Sequence, residues 1–230
     1  MLLDDKIAVV IEAIFFDQDN TIVNTKAVAP RAYRQAIEFL AQKMEVKSDR
    51  LWRKWRRVVR ENRKSLDPKV RSLNYSFSVV CDNKKWIKEA ILGIEKMLRS
   101  ELELNPGAKE FFDIPRGKIK YILTTEDFPH FMKVKINKFK LKRKFDLIIG
   151  NREAGSMKPS LKYYQLAWEK FELNPAKCIY IGDKYEKDCE IGAEKGGTTV
   201  LFGNKDKRAN YQIRNFLVLS QIIKKIDVQV

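Results

Sequence analysis

Four short apolar runs, each ending in a polar residue of a different kind, constrain this chain more than any other feature. Ile7 to Phe16 runs into Asp17-Gln18-Asp19-Asn20-Thr21, and Tyr121-Ile122-Leu123 into Thr124-Thr125. Leu147-Ile148-Ile149-Gly150 leads to a polar loop with Lys158-Pro159, and Cys178-Ile179-Tyr180-Ile181 runs into Gly182-Asp183, with Asp188 beyond it. Such runs read as buried strands, and helix-like stretches separate them. That alternation predicts a doubly wound parallel sheet, an α/β architecture whose ligands bind beyond the carboxyl ends of the strands. The polar groups stand at those ends. Further along, Thr199 to Phe202 and Phe216 to Leu219 read as strands, and Ser220 to Ile226 as a closing helix.

Side chains alternate along a strand, so Asp17 and Asp19 lean to one side if the extended geometry persists past Phe16. Two carboxylates that close call for a divalent cation or a shared proton, and we take the cation. A calcium loop is excluded, because Ile22 and Val28 occupy its sixth and twelfth positions, where Gly and Glu are needed. Asp and Asn also form ordinary turns after strands. What raises the motif above that reading is the order of the other three behind it. Pro159 suits the first turn of a helix, which predicts that Lys158 stands at a helix N-terminus and favours an anion there.

In order, Asp17-x-Asp19-x-Thr21, Thr124, Lys158 and Gly182-Asp183-x-x-x-x-Asp188 resemble the four motifs of the haloacid dehalogenase-like hydrolase superfamily, mostly magnesium-dependent phosphatases. The resemblance runs from Ile11 to Phe202. It implies a Rossmann-like core in which Asp17 is the nucleophile that becomes an aspartyl phosphate, and Asp19 the general acid and then base. Thr124, with Thr125 beside it, and Lys158 would hold the phosphoryl oxygens. Mg²⁺ would be ligated by Asp17, the Asp19 main-chain carbonyl and Asp183, with Asp188 a more distant or alternate ligand. Members that remove halogen lack a carboxylate at the position of Asp19, so its presence implies phosphoryl transfer to water, or within a sugar phosphate if the enzyme is a mutase. Two departures stand out. Gln18 is polar where an apolar residue is usual, and Thr125 stands where Asn is common.

Roughly eighty residues, Thr25 to Glu103, separate the first two motifs, too many for a loop without its own structure. They read as helices: Ala29, Tyr33, Ala36, Ile37, Leu40 and Met44 recur at helical spacing, as do Leu51, Trp52, Trp55, Val58 and Val59. Trp86, Ile87, Ala90, Ile91, Ile94, Met97 and Leu98 form a third stripe, and Ser48 and Asn83 are N-cap candidates. The expected organisation is a catalytic core of residues 1–24 and 104–230 with an all-helical cap of residues 25–103. Its hinges would lie near Asn24 and Asn105-Pro106-Gly107.

No stretch approaches the ~18 apolar residues of a membrane span. Asp4, Asp5 and Glu12 argue against a signal peptide, and the three cysteines, Cys81, Cys178 and Cys189, lack paired metal spacing, which fits a reduced cytoplasm. With His130 the only histidine, read as a helix-surface residue, histidine triads and multi-histidine zinc sites are not indicated. The net charge is +16, and Lys47 to Arg71 carries eleven basic against three acidic residues, +8 or half the excess. With Trp52 and Trp55 nearby, this admits a nucleic-acid surface. Those tryptophans share the apolar stripe, however, so the charges are expected on the solvated face, where they would steer a small phosphorylated substrate. Lys133 to Lys144 reads as another polar helix face.

Overall fold

The computed structural model describes residues 10–227 apart from 63, 64, 66 and 68. Ile7 to Val9 of the first run, and Arg63 and Lys64 of the basic segment, lie outside the described residues. Six parallel strands form one sheet in the order β3-β2-β1-β4-β5-β6. They are β1 (Ala13–Asp17), β2 (Lys120–Thr124), β3 (Leu147–Ile149), β4 (Cys178–Gly182), β5 (Thr198–Phe202) and β6 (Tyr211–Ile213). Every residue of β1 and β4 is buried, as a sheet covered on both faces requires.

The two faces divide the strand residues by their period of two. Ile14, Phe16, Leu123, Ile181 and Val200 join one apolar cluster with Phe111 and Phe112 of α5 (Ala108–Asp113) and Phe216 of the C-terminal helix. Ala13, Phe15, Ile122 and Tyr180 face the other way, toward Tyr163, Tyr164 and Ala167 of α8 (Lys162–Phe171). Phe15 stacks on Tyr180 with ring centroids 5.0 Å apart. Burying a ring of this size contributes roughly 1.5–3 kcal/mol.

Between β1 and β2 lie α1 (Ala29–Lys43), α2 (Ser48–Asn62), α3 (Leu73–Ser78) and α4 (Lys84–Glu101). They pack on one another, and α4 also packs on α6 (Pro129–Lys138) beyond β2. Tyr33 of α1, Trp55 of α2 and Phe77 of α3 form an aromatic file with centroid spacings of 5.4 Å. Asn83 caps α4 as expected, its side chain accepting from Lys85 and Trp86 N–H. Ser48 does not cap α2. The Leu51 N–H bonds the Lys47 carbonyl, so Lys47 holds the cap position and Ser48 is already the first helical residue. The chain leaves and re-enters the sheet side by side: Asn24 N–H donates to Glu103 O at 2.9 Å, Asn105 N–H donates to Ile22 O at 2.8 Å, and Val23 bridges Leu104 antiparallel.

Besides the Ser48 cap, three expectations about the elements need correction. Phe216 to Leu219 is not a strand but the first turn of α10 (Phe216–Asp227), because Phe216, Leu219 and Ile222 face inward while Leu217 and Val218 are exposed. The last strand is instead Tyr211–Ile213. Lys158 is not at a helix N-terminus. Pro159 lies in the loop, and the turn closes later, with Tyr164 and Gln165 N–H bonded to Leu161 O. Finally, Lys133 to Lys144 is not a uniformly polar face, since Lys135 is 2% exposed.

Cys81, Cys178 and Cys189 are all buried free thiols, and His130 sits on the surface of α6 paired with Glu95 of α4 at 2.9 Å. Among the described residues no helix is long and apolar enough to cross a membrane.

Candidate active site

Asp17 ends β1 in register with Thr124, which ends β2. The Lys158 ammonium crosses to them from the loop after β3. It lies 2.9 Å from Asp17 Oδ1 and 2.9 Å from Asp188 Oδ1, and donates to Thr124 O at 3.2 Å. Thr21 Oγ1 donates to the other Asp17 oxygen at 3.0 Å. Burial alone would lower the Lys158 ammonium, but Asp17 and Asp188 carry it well above its ordinary value. Lys158 is therefore a fixed positive charge at the floor of the site.

Asp17, Asp183 and Asp188 each place a carboxylate oxygen within 4.8 Å of the others. Burial, then Asp188 and Asp19, push the Asp17 carboxyl up to about 8 against the pull of Lys158. Burial and Asp188 also raise Asp183. Three converging carboxylates, with oxygen donors only, suit a hard divalent cation, which would offset the burial that raises Asp17 and Asp183. Asp188 is the most committed of the three. Its Oδ1 takes Lys158 and its Oδ2 accepts from Lys184 N–H at 3.1 Å. Gly182 makes this fold-back possible, because a Cβ there would stand 2.2 Å from the Asp188 Cβ.

Asp19 follows a different pattern. Its Oδ1 accepts from Thr25 Oγ1 and contacts the buried ammonium of Lys135. Lys135 also reaches Asp127 Oδ2 at 2.7 Å. Burial pushes the Asp127 carboxyl up to about 6 in spite of Lys135. Glu126 ties the neighbouring loops together, pairing with Lys187 and accepting from Lys158 N–H.

Neither threonine presents a free hydroxyl proton. Thr124 Oγ1 donates to Phe16 O at 3.2 Å. Thr125, expected at the phosphate, turns inward instead, since its hydroxyl donates to Gln18 Oε1 at 3.2 Å and accepts from Asp127 N–H at 3.1 Å. The two departures from the motif pattern thus meet in one buried hydrogen bond.

These groups open onto a cavity of about 340 Å³ lined by Asp17, Asp19, Lys158, Asp183 and Asp188, with Tyr33 and Arg71 contributed by the helical insert. Arg71 Nη2 donates to Glu126 O at 2.8 Å. A more apolar cavity of about 430 Å³ lies between α3, α4 and α6 and shares only Phe128 with this one. It holds none of the motif residues. Sequence reasoning missed Lys135, Asp127, Glu126, Tyr33 and Arg71. The signal for Lys135 was present, because Phe131, Val134 and Lys135 fall at helical spacing on one face.

Residues 11–196 match the haloacid dehalogenase-like hydrolase family along their whole length. The chain belongs to this family. N-acylneuraminate-9-phosphatase of Rattus norvegicus is 21% identical over 239 residues, covering 96% of each chain. Glyceraldehyde 3-phosphate phosphatase of Pyrococcus furiosus is 25% identical over 198 residues, 84% of this chain and 80% of that one. Among solved structures, a HAD phosphatase from Thermococcus onnurineus superposes with a TM-score of 0.74 at 21% identity, covering 92% of this chain and 97% of its own. A HAD hydrolase from Bacillus subtilis bound to magnesium gives 0.68 at 17% identity, covering 94% and 99%. At these identities the solved structures carry the fold alone, and for this HAD hydrolase the fold agrees with theirs.

Proposed function

We propose that this HAD hydrolase is a Mg²⁺-dependent phosphomonoesterase acting on a small phosphorylated metabolite. The observation that carries the reading is the Asp17 carboxylate, held by Lys158 and Thr21 at the mouth of a polar cavity with a second carboxylate, Asp19, two residues on. The curated relatives are phosphatases by name, which supports the same class. In this reading an Asp17 oxygen bonds to phosphorus as the bond to the leaving oxygen breaks, and Asp19 gives that oxygen its proton. Asp19 then takes a proton from the water whose oxygen attacks the aspartyl phosphate, freeing Asp17 and inorganic phosphate. Lys158 balances the charge gathered between carboxylate and phosphoryl group. The Asp17 and Asp183 carboxylates and the Asp19 carbonyl would hold Mg²⁺, with Asp188 holding Lys158. Mg²⁺ would supply the charge neutralisation that keeps Asp17 ionised and nucleophilic at neutral pH.

The test is release of phosphate from an aryl phosphate with Mg²⁺ and with chelator, for wild type and Asp17→Asn. Turnover should require Mg²⁺ and drop at least on the order of 10³-fold in the variant. Turnover that survives chelation, or that Asp17→Asn leaves intact, would sink the reading.

A further inference from the structure

Two buried lysines divide the carboxylates of this site between them. Lys158 joins Asp17 to Asp188, and Lys135 joins Asp19 to Asp127. The second pairing lies outside the motif residues. Lys135 comes from the inner face of α6 and its side chain is 3% exposed. Asp127 is anchored in turn, its Oδ1 accepting from Phe128 N–H at 2.8 Å. Thr25, in the first turn after the chain leaves the sheet, donates to the same Asp19 oxygen that Lys135 holds. No hydrogen bond to Asp19 Oδ2 is present among the described residues, and Asp19 lines the catalytic cavity.

Asp19 shares one cavity with Asp17, Asp183 and Asp188, and a hard cation gathers the oxygen donors within its reach. A proton-transfer carboxylate drawn into that shell would lose the oxygen it needs for the leaving group. We propose that Lys135, held by Asp127, is a positioning residue that fixes Asp19 through Oδ1 and so reserves Oδ2 for proton transfer. This rests on the phosphatase reading above. The balance is the one already given: the Oδ2 proton passes to the leaving oxygen as phosphorus transfers to Asp17, and a water proton returns to Oδ2 in hydrolysis of the aspartyl phosphate. Lys135 neither gains nor loses a proton in either step. Asp127 offsets its charge, so the ammonium is not an unopposed cation beside the carboxyl that must carry the proton.

The test compares kcat/KM for two esters of similar size, phenyl phosphate, whose leaving oxygen needs a proton, and 2,4-dinitrophenyl phosphate, whose leaving oxygen does not. Lys135→Met should lower kcat/KM for phenyl phosphate on the order of 10²-fold while changing the dinitrophenyl ester by no more than about threefold. Lys135→Arg should recover part of the loss, and Asp127→Asn should show the same selectivity for the basic leaving group. Far-UV circular dichroism reports whether each variant folds. If Lys135→Met does not fold, Asp127→Asn and Lys135→Arg decide the matter by the same ratio. Equal losses on both esters, or no loss on either, overturn the proposal while leaving the phosphatase reading standing. A wild type that turns over neither ester overturns both.

Discussion

Gln18 and Thr125 show how a residue can break a family pattern without breaking a site. Gln18 is fully buried, and among the described residues its side chain makes one hydrogen bond, Oε1 accepting from the Thr125 hydroxyl, while its Nε2 is unpaired. Removing one partner strands the other, which costs about 1–3 kcal/mol, whereas removing both with apolar groups costs less. Urea unfolding of Gln18→Leu, Thr125→Val and the double variant should therefore show a double cost well below the sum of the singles, and strict additivity would refute the pairing. At Asp17 the consequence is pH. Its carboxyl moves from an ordinary 3.8 up to about 8 on folding, through burial first and then Asp188 and Asp19. Between those values the folded state holds the additional proton, so without a cation its contribution is fullest below the lower value and is lost as pH rises through the upper one. Carboxyls that cations hold down, such as Asp206, at about 2 through its Arg208 hydrogen bond, titrate below this window. The melting temperature of chelator-treated protein should fall between about pH 5 and about pH 8, and Mg²⁺ should restore more at the upper end. A rise over that range would contradict the assignment. The motif residues were legible because each ends or follows an apolar run. Lys135 was not, because a lysine in a basic stretch looks solvated until the helix face it occupies is compared with its apolar neighbours.

Elements were legible wherever a single period held. The stripe of α4 and its Asn83 cap follow directly from spacing, and Asn83→Ala should cost about 0.5–2 kcal/mol in denaturant unfolding while leaving kcat within about twofold. An effect on kcat as large as that of a catalytic variant would mean that α4 does more than pack. The C-terminal region misled because Phe216 to Leu219 is a short apolar run, which periodicity alone cannot assign to strand or helix. What decides it is Asn215, whose side chain accepts from Leu217 N–H at 2.8 Å and opens a helical turn. Strand β6 escaped notice for the opposite reason, since Tyr211-Gln212-Ile213 is three residues long and half polar. The loop before α8 failed through a rule applied one turn too early. Proline suits the start of a helix, but here three residues separate Lys158 from Lys162, and the positive charge beside Asp17 comes from an ammonium rather than from helix N–H groups.

Across the whole molecule, charge and connectivity matter most. Arg50, Arg53, Lys54, Arg56, Arg57 and Arg60 are exposed on α2, whereas Leu51 and Trp55 are buried, as the stripe predicts. With +16 overall, the protein should attract a phosphate ester through a field that salt screens. Raising ionic strength from about 20 to about 200 mM should lower kcat/KM several-fold and leave kcat nearly unchanged. A salt-independent kcat/KM would remove steering from the account. The helices between β1 and β2 were legible as a long insertion, but their attachment was not, because nothing in either linker reveals that the two linkers pair with each other. Asn24 and Asn105 stitch the outgoing and returning chain into a short ribbon. To the sheet, the helical insertion is a parenthesis: it opens and closes at adjacent points, about one strand spacing apart. Its contents can lengthen, shorten or change their side chains over generations while β1 and β2 keep their places, so the strand ends that carry Asp17 and Thr124 are insulated from whatever is written between the brackets.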